Sequence, residues 1–241
     1  MGETEEEVKQ ILNSVEHVCR KYKLEINIDK TKVMKIGRAG VGVQINLGNE
    51  VLEEVTSFKY LGYYFSQDMN NYKPIQERIK LGYASMKTLR NIWKSNKITT
   101  QLKLRLFDTI VIPTVLYGAE CWVLNVKEQR KLLAFEMYGL RRIFKIQWQD
   151  RVTNEEVKER AGLKKTILER VHDAQLRWLG HVERMQERRL PKKTFYGRIA
   201  GARPKGRPKT TWLRALKKQN SGIEWQEAER NGEGTDMLEG T

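Results

Sequence analysis

Cysteine is nearly absent from this chain: Cys19 and Cys121 are its only two. Two thiols so far apart cannot build a disulfide framework, and they are too few for a structural zinc site. A reducing compartment inside the cell, nucleus or cytoplasm, fits that usage. Histidine is scarce too, with His17, His172 and His181 alone. His172 and His181 lie nine residues apart, and with their neighbours Asp173 and Glu183 they do not converge on one helix face. No apolar run reaches the ~18 residues of a membrane span, so a soluble protein is expected and no membrane partner. The N-terminus, Met1 to Glu7, is acidic and lacks the basic-then-apolar layout of a signal peptide. Glu6 stands where N-myristoylation requires a hydroxyl residue. There is no Gly-rich phosphate loop and no nucleophile elbow. A two-metal phosphoryl-transfer site needs clustered carboxylates on strands, whereas Asp29 and Asp68 each stand alone. The expected metal ligands and the catalytic constellation are therefore both none.

What the chain has is positive charge, unevenly placed. Its 241 residues carry a formal net charge of +15. Residues 1–66 hold 9 Lys/Arg against 10 Asp/Glu, whereas residues 161–219 hold 17 against 4. Such a concentration suits a polyanion, most simply nucleic acid. The bland alternative is a solvated basic surface with no partner.

Periodicity predicts an α+β fold of two characters. Glu5–Tyr22 reads as a helix, with Val8, Ile11, Leu12, Val15 and Val18 at helical spacing and acidic residues in its first turn. Strands are expected over Leu24–Ile28 and Lys32–Ile36, then a turn over Gly37–Gly42. A hairpin is expected from Val41–Leu47 and Val51–Val55 around Gly48-Asn49. Thr56–Ser66 is the most aromatic stretch and predicts a strand pair, with Gly62 marking a bulge or a close backbone approach. The first part is thus a helix on a small antiparallel sheet.

From Asn70 to Met185 everything reads as helix. Gly82 suggests a close helix contact. Thr99 is a cap, Pro113 kinks or ends its helix, and Leu133, Met137, Leu140 and Phe144 form one stripe. Thr153 with Glu156 makes a capping box, and a longer helix carries Leu168 to Met185. Arg188–Lys209 then changes character. Lys192, Lys193, Arg198, Arg203, Lys205, Arg207 and Lys209 are interleaved with Gly and Pro, and Ala202–Pro208, which cannot be helix interior, predicts an extended basic loop that orders on binding and reaches phosphates. Thr210–Lys218 reads as a short amphipathic helix with Trp212 and Leu216 on one side. The tail over 220–241 is expected to be disordered.

Four of these stretches carry a resemblance. Leu24 to Met34, with Asn27 and the Lys30-Thr31 pair, resembles the fourth palm motif of non-LTR (LINE-type) retrotransposon reverse transcriptases. Phe58-Lys59-Tyr60-Leu61-Gly62 followed by Asp68 resembles the primer grip that ends the palm. Leu116-Tyr117-Gly118-Ala119-Glu120-Cys121-Trp122 is similar to the Leu-Tyr-Gly-x-Glu-x-Trp signature of the thumb and connection. Arg177-Trp178-Leu179-Gly180-His181-Val182, continuing through Arg188 and Gly206-Arg207-Pro208 to Trp212, resembles the C-terminal region.

The resemblance implies a division of the chain: 1–68 the end of the palm, 69–150 a helical thumb and connection, 151–219 a basic helical region, then the tail. It implies RNA and DNA as partners, with Tyr60, Leu61 and Gly62 holding a primer end and Lys30 near an incoming triphosphate. The family's metal-holding aromatic-x-Asp-Asp turn precedes the helix that opens this sequence and does not occur here. Mg²⁺ is accordingly expected only in an intact polymerase, and this chain is expected to bind nucleic acid without polymerising. Asn231–Thr241 departs from the family, and a decayed element copy is expected. A free-standing nucleic-acid-binding module and an inert remnant are the alternatives.

Overall fold

Thr4 starts the first helix. Its hydroxyl accepts from the Glu7 backbone N–H at 3.2 Å, and α1 (Glu5–Lys21) runs with glutamates at its N-terminal turn and Arg20 and Lys21 at its last. The computed structural model describes residues 2, 4–36, 42–67, 72–197 and 211–219, with Lys218 and Gln219 described by backbone alone. The fold is α+β, and the chain divides into two units, residues 1–77 and 78–241. Among the described residues no helix is long and apolar enough to cross a membrane.

In the first unit, Val8 and Leu12 of α1 pack on a small core of Ile45, Leu47 and Leu52, joined by half-buried Ile26, Ile28, Val33 and Val43. The strand expected over Leu24–Ile28 does not form. Asn27 accepts from the Lys30 N–H at 2.9 Å and turns the chain into a 3₁₀ turn, Ile28–Lys30. A local side-chain cap wins there over alternation that has no partner strand. The expected second strand shortens to β1 (Lys32–Val33), which pairs in parallel with β4 (Glu53–Glu54). The hairpin around Gly48-Asn49 forms from β2 (Asn46–Leu47) and β3 (Glu50–Val51), and the Leu52 N–H to Ile45 carbonyl bond of 2.8 Å extends it. β5 (Ser57–Tyr60) and β6 (Tyr63–Ser66) pair antiparallel, with Tyr60 opposite Tyr63. Leu61 and Gly62 form the two-residue turn with φ of 48° and 79°, as a type I′ turn requires. Gly62 is therefore a turn residue, not a bulge.

Among the described residues every element of the second unit is helical. α2 (Tyr72–Thr88) carries Pro74 in its first turn, and Leu89 breaks it from α3 (Arg90–Lys94). Thr99 caps α4 (Thr100–Leu106) through the Leu102 N–H. A π turn over Phe107–Val111 leads into α5 (Ile112–Leu116), where Pro113 sits in the first turn. The helix thus absorbs Pro113 by widening one turn earlier rather than ending there. After α6 (Val126–Phe144) come α7 (Asn154–Ala161), started by the Thr153–Glu156 capping box, and α8 (Ile167–Glu183).

The core lies among these helices, with Trp93, Phe107, Trp122, Leu132, Phe135, Leu140 and Ile167 all fully buried. Close approach is built in, since a Cβ on Gly139 would lie 2.3 Å from Phe107 Cε2 and one on Gly82 2.4 Å from Val115 Cγ2. The buried face of α6 includes Leu132, Phe135, Met137, Gly139, Leu140 and Ile143, so Met137 and Leu140 of the predicted stripe are buried while its ends, Leu133 and Phe144, are half-buried.

The start of the basic Arg188–Lys209 stretch is helix. α9 (Leu190–Tyr196) starts with Pro191 in its first turn, the position where a missing N–H costs nothing. The predicted terminal helix is α10 (Trp212–Gln219). Residues 37–41 of the turn predicted over Gly37–Gly42, Asp68 and Asn70, the Pro/Gly-rich part of the basic stretch and the tail over 220–241 lie outside the described residues.

Candidate nucleic-acid interface

The Leu116–Trp122 stretch is the hub on which the basic region is mounted. Gly118 takes φ of 76° and turns the chain into a 3₁₀ turn, Ala119–Cys121, whose Ala119 is fully buried. Two later helices fasten to this turn. From α8, the buried Gln175 donates to the Trp122 carbonyl at 2.7 Å. From α10, the Trp212 indole N–H donates to the Glu120 carbonyl at 2.7 Å. Carbonyls freed by a tight turn thus become docking points for helices more than fifty residues downstream.

The Phe195 ring of α9 meets the Trp212 ring of α10 edge-on at 5.8 Å, and Leu216 on the same side of α10 is buried. The residues flanking 198–210 are therefore held side by side on the helical unit. Of the predicted phosphate ligands, Lys193 is exposed on α9. Lys192 is committed to the fold instead. Its ammonium donates to the carbonyls of Glu183 and Met185 at 3.0 and 3.2 Å, pairs with Glu187 at 2.7 Å, and leaves the side chain 12% exposed. It satisfies the C-terminal carbonyls of α8, as a cation there should. Arg198, Arg203, Lys205, Arg207 and Lys209 lie outside the described residues. Arg177, Arg184, Arg188, Arg189 and Arg214 are exposed in the described part of the same region.

The remaining predicted site residues belong to the first unit. Lys30 ends its 3₁₀ turn with an exposed side chain. Tyr60 and Leu61 stand at the tip of the β5–β6 hairpin, 58% and 75% exposed, with Gly62 half-buried beside them. Lys59 and Lys73 sit over the Tyr64 ring at 5.6 and 5.4 Å, which fixes two cations beside this hairpin.

Sequence reading missed the buried polar residues, because periodicity counts them as surface positions. Lys103 donates to the carbonyls of Trp93 and Ser95 at 3.1 and 2.6 Å and closes α3. Glu136 accepts from the Ile167 N–H at 2.7 Å, at the first turn of α8, while its other oxygen is buried without a hydrogen-bond partner. Burial pushes the Glu136 carboxyl up to about 7, against the pull of that N–H and of Arg170 and Lys158. Arg170 pairs with Asp108 at 3.0 Å beside a cleft of about 830 Å³, floored by Phe107, Ile112 and Leu140 and rimmed by Lys164, Lys165 and Arg177. A charged residue interrupting an apolar stripe, as Glu136 does between Phe135 and Met137, is the one sequence signal that marks such a position.

Chemically the arrangement offers cations and aromatic rings. Among the described residues no three His, Cys, Asp or Glu side chains are grouped to hold a metal ion. Asp29 is exposed on the Ile28–Lys30 turn and belongs to no such group.

The chain is similar to a Caenorhabditis elegans protein whose name reads "Putative uncharacterized transposon-derived protein". The two are 27% identical over 188 residues, covering 75% of this chain and 66% of the relative. A transposon origin fits that likeness. No protein-family model and no solved structure matches the chain.

Proposed function

We propose that this chain is the C-terminal part of a non-LTR retrotransposon RNA-directed DNA polymerase: the end of the palm, the thumb and a basic region that binds RNA and DNA inside the cell. The observation that carries the binding is the charge of residues 161–219, 17 Lys/Arg against 4 Asp/Glu. Its placement supports the reading, because Phe195 and Trp212 fix both flanks of the most basic stretch to the helical unit. The aromatic-x-Asp-Asp tetrapeptide is absent from these 241 residues, so they add no nucleotides by themselves in this reading.

Filter binding at about 50 and 200 mM salt tests it, with single-stranded RNA and duplex DNA as probes. If four of the predicted cations meet phosphates, the slope of log affinity on log salt is about −3 to −4. Replacing Arg203, Lys205 and Arg207 with Ala should weaken all sequences alike, since phosphate contacts carry no base information. No affinity for either probe at the lower salt would overturn the proposal and leave a packed helical remnant. Loss confined to one sequence would argue for base readout instead.

A further inference from the structure

Trp148 is 84% exposed, on a 3₁₀ turn (Trp148–Asp150) that joins α6 to α7. A lone exposed apolar side chain means little by itself. Its setting differs from that of a stray surface residue in two ways.

The first is rigidity. The Gln147 N–H donates to the Asp150 carboxylate at 2.7 Å, in a capping box that closes the turn. The Ile146 N–H bonds the Arg141 carbonyl at 2.9 Å. The Arg141 guanidinium reaches across to the Val152 carbonyl at 2.8 Å and to Asn154 at 2.9 Å, bolting the connector to the start of α7. Lys145 and Arg151 bracket the turn with φ of 59° and 49°, a conformation that side chains with a Cβ rarely hold. The indole is thus presented on a fixed base.

The second is charge. Lys145 and Arg151 share the connector with Trp148, Arg142 stands on the last turn of α6 just before it, and the connector's one carboxylate, Asp150, is occupied by the cap. Among the described residues neither the Arg142 nor the Arg151 guanidinium is in an ion pair. Lys145 donates to Asn96 and so ties the connector to the loop after α3. That neighbourhood, residues 90–105, holds five Lys/Arg and no Asp or Glu. Lys94 and Lys97 are exposed there.

An exposed indole with guanidinium and ammonium groups three to six residues away in sequence has two chemistries for one ligand. The ring offers a stacking face, and the cations offer phosphate contacts. We infer that Trp148 is a stacking platform for an unpaired base of single-stranded nucleic acid, whose backbone runs over Arg142, Lys145 and Arg151. Duplex does not use the platform, because its bases are already stacked on each other. This site rests on the nucleic-acid reading above but lies apart in sequence from the basic stretch that carries it.

The test compares wild type, Trp148→Ala, Trp148→Phe and the pair Arg142→Ala with Arg151→Ala, in the full chain. Fluorescence anisotropy follows a labelled oligouridylate and a DNA duplex of the same length. Trp148→Ala should lower oligouridylate affinity roughly 5- to 150-fold while duplex affinity changes less than about twofold. Trp148→Phe should keep most of the affinity, and the salt slope should be that of wild type. The arginine pair should flatten the single-strand slope by about 1.4. The Trp148→Ala loss should persist in a chain that also lacks Arg203, Lys205 and Arg207. Equal binding by wild type and Trp148→Ala removes this site while leaving the proposed function standing. A wild type that binds neither probe removes both. Equal loss on both probes, or displacement of the oligouridylate by polyglutamate at matched charge, assigns the face to general anion or acidic-protein binding and overturns the stacking inference.

Discussion

The two units hide their apolar residues by different means. The first is stitched from three ladders, the two shortest only two residues per strand, around Ile45, Leu47 and Leu52, and α1 contributes no fully buried residue to it. Ile11, Val15 and Val18 of that helix remain 46%, 47% and 51% exposed. The second interlocks helices through large side chains with no room for a Cβ at Gly82 or Gly139, and ties helix ends with buried Lys103, Glu136 and Gln175. Few buried contacts and short ladders mean low local opening energies, and dense interlocking means high ones. The basic region is thus mounted on the densely packed unit, while the hairpin resembling a primer grip belongs to the sparsely packed one.

The strongest way to break that comparison is Phe135→Ala. Phe135 is fully buried and packs edge-on against Tyr83 with ring centroids 5.0 Å apart. Truncating it should cost about 3–5 kcal/mol. Hydrogen exchange should show protection falling across α4 to α8 while amides of residues 45–66 keep theirs. An equal fall in both regions would mean that the units unfold as one, and the contrast would be lost.

Next in size is a pH effect confined to the helical unit. Burial raises the Glu136 carboxyl from 4.5 to about 7, so the folded state holds that proton more tightly than the unfolded chain. The stabilisation is therefore complete below about 4.5 and is lost as pH climbs through about 7, roughly 3 kcal/mol across the window. Urea midpoints of the helical unit on either side of that window measure it. Glu136→Gln keeps an oxygen for the Ile167 N–H and removes the ionisation, so its midpoint should stay level. A midpoint for wild type that rises with pH over the window would show the sign to be wrong.

A smaller perturbation asks whether the close approach is necessary. Gly139→Ala places a methyl against the Phe107 ring and should destabilise by about 1–3 kcal/mol, read as a lower melting temperature of the helical unit. No shift would mean that Phe107 moves aside freely and the core is looser than its packing indicates.

What was legible in the sequence follows from range. Caps and tight turns are local, so Thr99, Thr153 and the Gly48-Asn49 hairpin could be read directly. The parallel pairing of Lys32 with Glu53 links residues 21 apart and leaves no periodic trace. Leu24–Ile28 alternates as a strand does, yet Asn27 caps a turn there because no neighbouring edge competes. At the candidate interface, the amphipathic placing of Trp212 and Leu216 was visible. The use of Lys192 on the carbonyls of α8 was not, because a lysine written beside Pro191 looks the same whether it faces solvent or a helix end. Trp148 was missed for the opposite reason, since exposure of a tryptophan is decided by its neighbours in space rather than in sequence.

The smallest expected effect tests the looser unit at its hairpin tip. Leu61 holds φ of 48° at the first central position of a type I′ turn, where Asn is strongly preferred and a branched apolar side chain is not. Leu61→Asn keeps the turn and relieves the strain, and should stabilise the hairpin by about 0.5–1 kcal/mol. Slower exchange of the amides in β5 and β6, with α6 unchanged, is the expected reading. The side chain is 75% exposed, so packing does not account for a leucine in this place. If Leu61→Asn stabilises the hairpin and also weakens binding of a primer–template duplex, the strain is retained for contact with nucleic acid, as the primer-grip resemblance implies. If it stabilises the hairpin and leaves binding untouched, that resemblance has no remaining consequence at this turn.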